Sequence, residues 1–88
     1  MERSSFIKTL KAKKYFSYSS DEETMYFRCG DVQIKIFKDK NVDVFMISSE
    51  GKGIPLSFSS VKGIHREITY LGMYIVIKLN SRNWRFKV

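Results

Sequence analysis

The sequence predicts a mainly β domain: six or seven short strands in an antiparallel meander, forming a small barrel or sandwich, with one short N-terminal helix. Three observations carry that prediction. From Tyr15 onwards apolar residues recur at every second position, the spacing that puts them on one face of a strand. Turn-forming residues punctuate the pattern at short intervals, as they do between hairpin strands. Those intervals leave no room for the crossover helices that parallel strands require. Residues 1–88 read as a single small β domain, with the helix at about 2–14 and strands from about 15 to 88.

In the helix, Phe6, Ile7 and Leu10 fall on one face, and Ser4 or Ser5 is the expected cap. A helix this short needs its apolar stripe docked on the sheet. Lys14 to Ser19 reads as the first strand and Thr24 to Cys29 as the second, with Ser20 to Glu23 turning between them. After Gly30-Asp31, Val32 to Lys38 sets Val32, Ile34 and Ile36 on one face and Gln33 and Lys35 on the other. Asp39-Lys40-Asn41 turns the chain, and Val42, Val44 and Met46 share the next face, opposite Asp43 and Phe45. Gly51-Lys52-Gly53 marks a further hairpin. Ile54, Leu56 and Phe58 alternate with Pro55, Ser57 and Ser59; the proline cannot donate a ladder hydrogen bond, so that strand is an edge or begins at it. Val61 to Ile68 is irregular, with Gly63 as a break. Thr69 to Leu79 reads as one long strand that groups Met73, Ile75, Ile77 and Leu79. Asn80 to Asn83 turns into a last strand, where Trp84, Phe86 and Val88 alternate with Arg85 and Lys87.

Composition bounds the function. The chain is 43% hydrophobic and 15% aromatic, enough for one core and against disorder. Sixteen Lys and Arg against nine Asp and Glu leave a formal charge of +7, which favours nucleic acid, an anionic membrane leaflet or an acidic peptide as partner. Solubility alone is the plainer use of such a charge. The single cysteine, Cys29, excludes an intrachain disulfide, and so small a domain without disulfides points to an intracellular setting, cytoplasmic or nuclear. No apolar run approaches the ~20 residues of a membrane span, and the basic start has no signal-peptide pattern, so it is read as part of the mature protein.

Catalytic chemistry is hard to assemble from these residues. Cys29 and the only histidine, His65, make the one conceivable nucleophile–base dyad, a pairing that any lone Cys and lone His would permit. Asp21, Glu22 and Glu23 form a consecutive acidic trio, whereas acid–base work needs carboxylates set apart across a cleft. No metal-ligand spacing and no phosphate-cradling loop is present in the sequence, and no cofactor is expected. The expectation is a binding protein rather than an enzyme.

The C-terminal third is similar to the GRAM and pleckstrin-homology superfamily. The resemblance rests on Pro55 and Leu56, then Ile64, then Tyr74, Ile75, Ile77 and Lys78 in a long strand, and Arg82, Asn83, Arg85 and Phe86 in a turn and final strand. It implies a PH-like, non-catalytic module binding phosphoinositides, proteins or both. That superfamily carries its basic phosphoinositide motif in the first hairpin. This chain has Lys11, Lys13 and Lys14 before that hairpin, but its turn, Ser20 to Glu23, is acidic, which moves weight to proteins.

Three partner classes remain. A protein partner, acidic or paired to an edge strand, suits the proline-bearing strand and the aromatics Phe37 and Phe45 assigned to outward positions; a homo-oligomer is included in that class. Lys11, Lys13, Lys14, Arg82, Arg85 and Lys87, the two densest basic stretches, are the candidate anion or partner site. Single-stranded nucleic acid is the alternative, on a face of Tyr26, Arg28, Lys35, Tyr74 and Lys78, where bases stack on rings and cations neutralise phosphates. Peripheral attachment to an anionic membrane through the basic segment Arg3 to Lys14 is the third.

Overall fold

The computed structural model describes residues 1–64 and 67–88. The domain is mainly β with one N-terminal helix, as the period of the sequence predicts, but its strands are arranged differently. Eight strands occur among the described residues, in two antiparallel sheets and not in a closed barrel. Helix α1 spans Arg3–Ala12. Strands β1 (Ser17–Asp21), β2 (Thr24–Cys29), β3 (Val32–Asp39), β4 (Val42–Ser49) and β5 (Lys52–Ser57) form the larger sheet in sequential order. A single 3-10 turn, Phe58–Ser60, leads towards the smaller sheet of β6 (Ile68–Tyr70), β7 (Tyr74–Leu79) and β8 (Arg82–Lys87).

Turn chemistry accounts for the tight meander. Lys40 and Asn41 have φ of +50° and +66°, Glu50 and Gly51 +57° and +77°, and Asn80 and Ser81 +49° and +69°. Two consecutive positive values make the two-residue hairpin whose twist matches that of the flanking strands. All three turns are shorter than the sequence suggests: Asp39 still pairs with Val42 in the β3–β4 ladder. Lys52 and Gly53 already pair with Ser49 and Ser48 in β5, and Arg82 and Asn83 pair with Leu79 and Lys78 in β8. Gly30, at φ +58°, opens the β2–β3 turn and lies so close to Val88 that a Cβ there would collide with that side chain.

Three strand assignments are corrected. The first strand is Ser17–Asp21, not Lys14 to Ser19, and Ser20 and Asp21 pair with Met25 and Thr24 instead of turning. In β4 the core face is Phe45 and Ile47, not Val42, Val44 and Met46, because Phe45 pairs with Ile36 and Leu56, and Ile47 with Ile34 and Ile54. Phe45 is therefore fully buried rather than outward, while Phe37 does face outward, with the Lys35 ammonium 4.7 Å from its ring centre. The expected long strand from Thr69 to Leu79 is a hairpin: Leu71-Gly72-Met73 connects β6 and β7, with Gly72 at φ +82°. Met73 consequently lies in the turn and is exposed.

The core fills the space between the sheets. Phe27, Ile34, Ile36, Phe45 and Ile47 from the larger sheet meet Ile68, Ile75, Ile77 and Leu79 from the smaller. Helix α1 closes one end, with Phe6 and Leu10 buried and Ile7 packed at the margin. The Phe6 ring centre lies 5.0 Å from that of Phe45 and 5.7 Å from that of Phe58. Neither serine caps the helix: Glu2 occupies the N-cap without a side-chain bond, and Ser5 Oγ donates to the Glu2 carboxylate instead. Docking, not capping, holds the helix. Val61 and Ile64, in the irregular stretch before β6, are also fully buried.

Side-chain contacts bridge the two sheets on one side. Between the helix and β1, the Tyr15 hydroxyl donates to the Ile68 carbonyl of β6 at 3.3 Å, and its ring centre lies 5.2 Å from that of Tyr70. On the opposite side β5 pairs only with β4, and β8 only with β7. The two sheets part between these two edges.

Candidate partner groove between two free strand edges

The parted edges enclose an apolar groove. Ile47 of β4, Ile54 and Leu56 of β5, Leu79 of β7, and Trp84 and Phe86 of β8 line about 260 Å³ of it, with Asn80 and Arg82 at the rim. Alternation puts them there: Arg82, Trp84 and Phe86 share one face of β8, and Ile54 and Leu56 share the core face of β5. A core-facing isoleucine in a closed sandwich is buried, yet Ile54 is 51% exposed. A second hollow of about 370 Å³ continues along the same gap past Ser49, Glu50, Lys52, Gly53, Tyr74, Arg85 and Lys87.

Both ends are fixed. Ser49 Oγ donates to the Lys87 carbonyl at 2.6 Å, tying β4 to β8. At the other end Asn80 Nδ2 donates to the Ser60 carbonyl at 3.2 Å, and Asn80 Oδ1 accepts from the Lys62 amide at 3.4 Å. The rim is basic: Lys52, Arg82, Arg85 and Lys87 border the two hollows, against one acid, Glu50. The Arg82 guanidinium lies 5.6 Å from the Trp84 ring centre, a cation over an aromatic face that remains available to an anion. Of the two edges, β5 is interrupted by Pro55, which has no N–H to offer. Strand β8 contains no proline.

The six basic residues picked from the sequence fall into two groups with different neighbours. Arg82, Arg85 and Lys87 border the groove. Lys11 lies on the last turn of α1 with its ammonium 4.8 Å from the Tyr18 ring of β1, and Lys13 and Lys14 lead from the helix to Tyr15. The nucleic-acid set is divided as well. Tyr26 pairs with Lys35 on the outer face of the larger sheet, beside Arg28, which donates to Gln33 at 2.7 Å. Tyr74 and Lys78 lie on the outer face of the smaller sheet, Tyr74 under Arg85 at 4.5 Å and Lys78 paired with Glu67 at 3.7 Å. Trp84, Ile54 and Phe86 are the groove residues that the sequence did not single out as a site. The available signal was a tryptophan alternating with arginines in one strand and a proline in another.

Cys29 is buried, and that burial pushes its thiol up, the reverse of what a nucleophile at neutral pH needs. His65 lies outside the described residues. Among the described residues no cluster of three metal-ligating side chains occurs, and no helix is long and apolar enough to cross a membrane. Burial, and then the charge on Cys29, also raise the Tyr15 phenol. Both groups hold their proton more tightly in the folded chain. Their contribution to stability is complete below the unfolded-state values and is lost as pH climbs through the folded ones. The unfolding free energy should therefore fall in the alkaline range, beginning above the ordinary thiol value of 9.0. Urea midpoints measured from neutral to alkaline pH check this, and Cys29→Ala should make the onset of the fall later. Compared with protein-family models, curated proteins and solved structures, the chain finds no match.

Proposed function

We propose that this chain is a non-catalytic, intracellular binding module whose partner is a protein segment, extended and alternately apolar and acidic, lying in the groove between β5 and β8. One observation carries the reading: two unpaired strand edges flank an apolar groove whose charged rim is mainly basic. An added strand satisfies its main-chain groups on a sheet edge, and its alternate side chains enter pockets. Strand β8 offers the uninterrupted edge. Trp84, Phe86, Ile54 and Leu56 receive the apolar residues, and Arg82 meets the acidic ones. The reading keeps to the kind of module that the GRAM and pleckstrin-homology resemblance implies, and the lone buried cysteine supports the intracellular setting.

Trp84 is the only tryptophan, so its fluorescence reports occupancy of the groove directly. Titration with a synthetic peptide alternating Glu with Ile or Phe should give a saturable emission change. A peptide carrying Lys in place of Glu should bind at least about tenfold more weakly, the ratio equivalent to about 1.4 kcal/mol. No response to the acidic peptide, or an equal response to both, refutes the proposal. A steeply salt-dependent response to an oligothymidylate alone would favour the nucleic-acid reading in its place.

A further inference from the structure

Beyond the groove, the β6–β7 hairpin tip stands out. Among the described residues six large hydrophobic side chains are exposed, and three of them, Tyr70 at 41%, Leu71 at 59% and Met73 at 67%, lie within four consecutive positions. Gly72, at φ +82°, turns the chain between Leu71 and Met73. The Leu71 amide donates to the Tyr74 carbonyl at 2.7 Å, the Met73 amide to the Leu71 carbonyl at 3.0 Å, and the Val88 amide to the Met73 carbonyl at 2.9 Å. The tip is thus a fixed turn that presents two apolar side chains, Leu71 and Met73, to solvent. A connection chosen only for its turn would carry polar residues there.

Around the tip the side chains change character. Tyr70 and Tyr74 flank it, and Tyr15 packs on Tyr70. Cations lie beside the tyrosines: Lys14 precedes Tyr15, the Arg85 guanidinium lies 4.5 Å from the Tyr74 ring centre, and Lys87 pairs across the ladder with Tyr74. Two acids lie on this side, Asp31, next to Gly30 against Val88, and Glu50, which borders the same hollow as Tyr74, Arg85 and Lys87; Lys14, Lys52, Arg85 and Lys87 outnumber them. An apolar tip flanked by tyrosines with lysine and arginine beside them matches the acyl chains, the interface and the anionic headgroups of a bilayer. A hairpin tip is also convex, which suits a yielding lipid surface better than a folded protein without a matching hollow.

We infer that the Leu71-Gly72-Met73 tip inserts into the headgroup region of an anionic bilayer, with Lys14, Arg85 and Lys87 held against the lipid phosphates and carboxylates. The inserted residues are distinct from those that line the groove, although Arg85 and Lys87 border both.

The test is sedimentation of the full chain with vesicles of phosphatidylcholine alone and of phosphatidylcholine with about 30% phosphatidylserine. Binding to the anionic vesicles and not to the neutral ones is expected. The double change Leu71→Asp, Met73→Asp should weaken it at least about tenfold. Lys14→Ala, which leaves the groove rim intact, should weaken it about fivefold. Trp84→Ala should leave it unchanged, which separates this inference from the groove reading. Both tip positions are exposed, and an unaltered urea midpoint in the double variant verifies that the fold persists. As a second readout, a tryptophan introduced by Leu71→Trp should be quenched by brominated lipid more strongly than the native Trp84. The inference fails if the wild type ignores anionic vesicles, if the double variant binds as well as the wild type, or if the introduced tryptophan is not quenched. Loss on changing Lys14 with full binding by the double variant would mean surface adsorption without insertion, and would equally overturn it.

Discussion

Phe6→Ala is expected to lower the unfolding free energy by about 3–5 kcal/mol, the range for removing a fully buried phenylalanine. Phe6 is 0% exposed and belongs to an aromatic cluster in which the Phe45 and Phe58 ring centres lie 4.9 Å apart. It is also the main anchor of α1, which lacks a side-chain cap at its N-terminus and has no acidic residue in its first turn. An isolated ten-residue helix is marginal in water, so deleting the anchor removes a core contact and the helix's reason to exist. Total stabilities of about 5–15 kcal/mol are usual, so this change alone brings the domain near unfolding. Urea denaturation followed by circular dichroism measures it. A shift of the midpoint at constant slope means a cavity in an otherwise native fold; a lower slope means that α1 has already detached. A loss below about 1 kcal/mol would contradict the docking described here, since that is what an exposed substitution costs at most.

The parts of this fold legible in the sequence are those where one face is apolar and the other polar. Val32 to Lys38 alternates with Gln33 and Lys35, and β3 buries the residues its pattern indicates. Phe6 and Leu10 likewise mark the buried side of α1. The pattern fails where both faces are apolar. From Val42 to Ile47 only Asp43 is polar, so the phase is set by pairing with β3 and β5 rather than by the local sequence. At Leu71-Gly72-Met73 apolar residues conceal a turn, and two strands read as one. The basic character of the last strand was legible residue by residue, and Arg82, Arg85 and Lys87 do border the groove. The groove itself was not legible. It is the space left where β5 and β8, from different sheets, fail to meet, and no local pattern encodes a missing neighbour. For the same reason Lys11, Lys13 and Lys14 could be named as basic but not placed relative to β8.

Trp84→Ala should cost the acidic, apolar peptide about 2–4 kcal/mol of binding, or roughly 30- to 1000-fold in Kd. Trp84 lies in the middle of β8, half-buried, pairing with Ile77 behind it and turning its open side to Ile54 and Leu56. A large ring at the centre of an apolar hollow is where binding energy concentrates, because the residues around it keep water out once a ligand is seated. Its own contribution to folding is smaller than that of Phe6, since part of the ring stays in water, so affinity should fall more steeply than stability. Arg82→Glu acts differently. It reverses a charge at the rim, and should slow association and change the salt dependence more than it speeds dissociation. The measurement is fluorescence anisotropy with a labelled peptide, which does not depend on the tryptophan being removed. Tyr26→Ala, on the outer face of the larger sheet, serves as the control and should leave affinity within about twofold, as expected for a residue outside an interface. Equal losses from Trp84→Ala and Tyr26→Ala would place the peptide elsewhere. A Trp84→Ala variant that binds like the wild type would remove the groove from consideration, because the apolar side chains of the ligand would then have lost their largest contact at no cost.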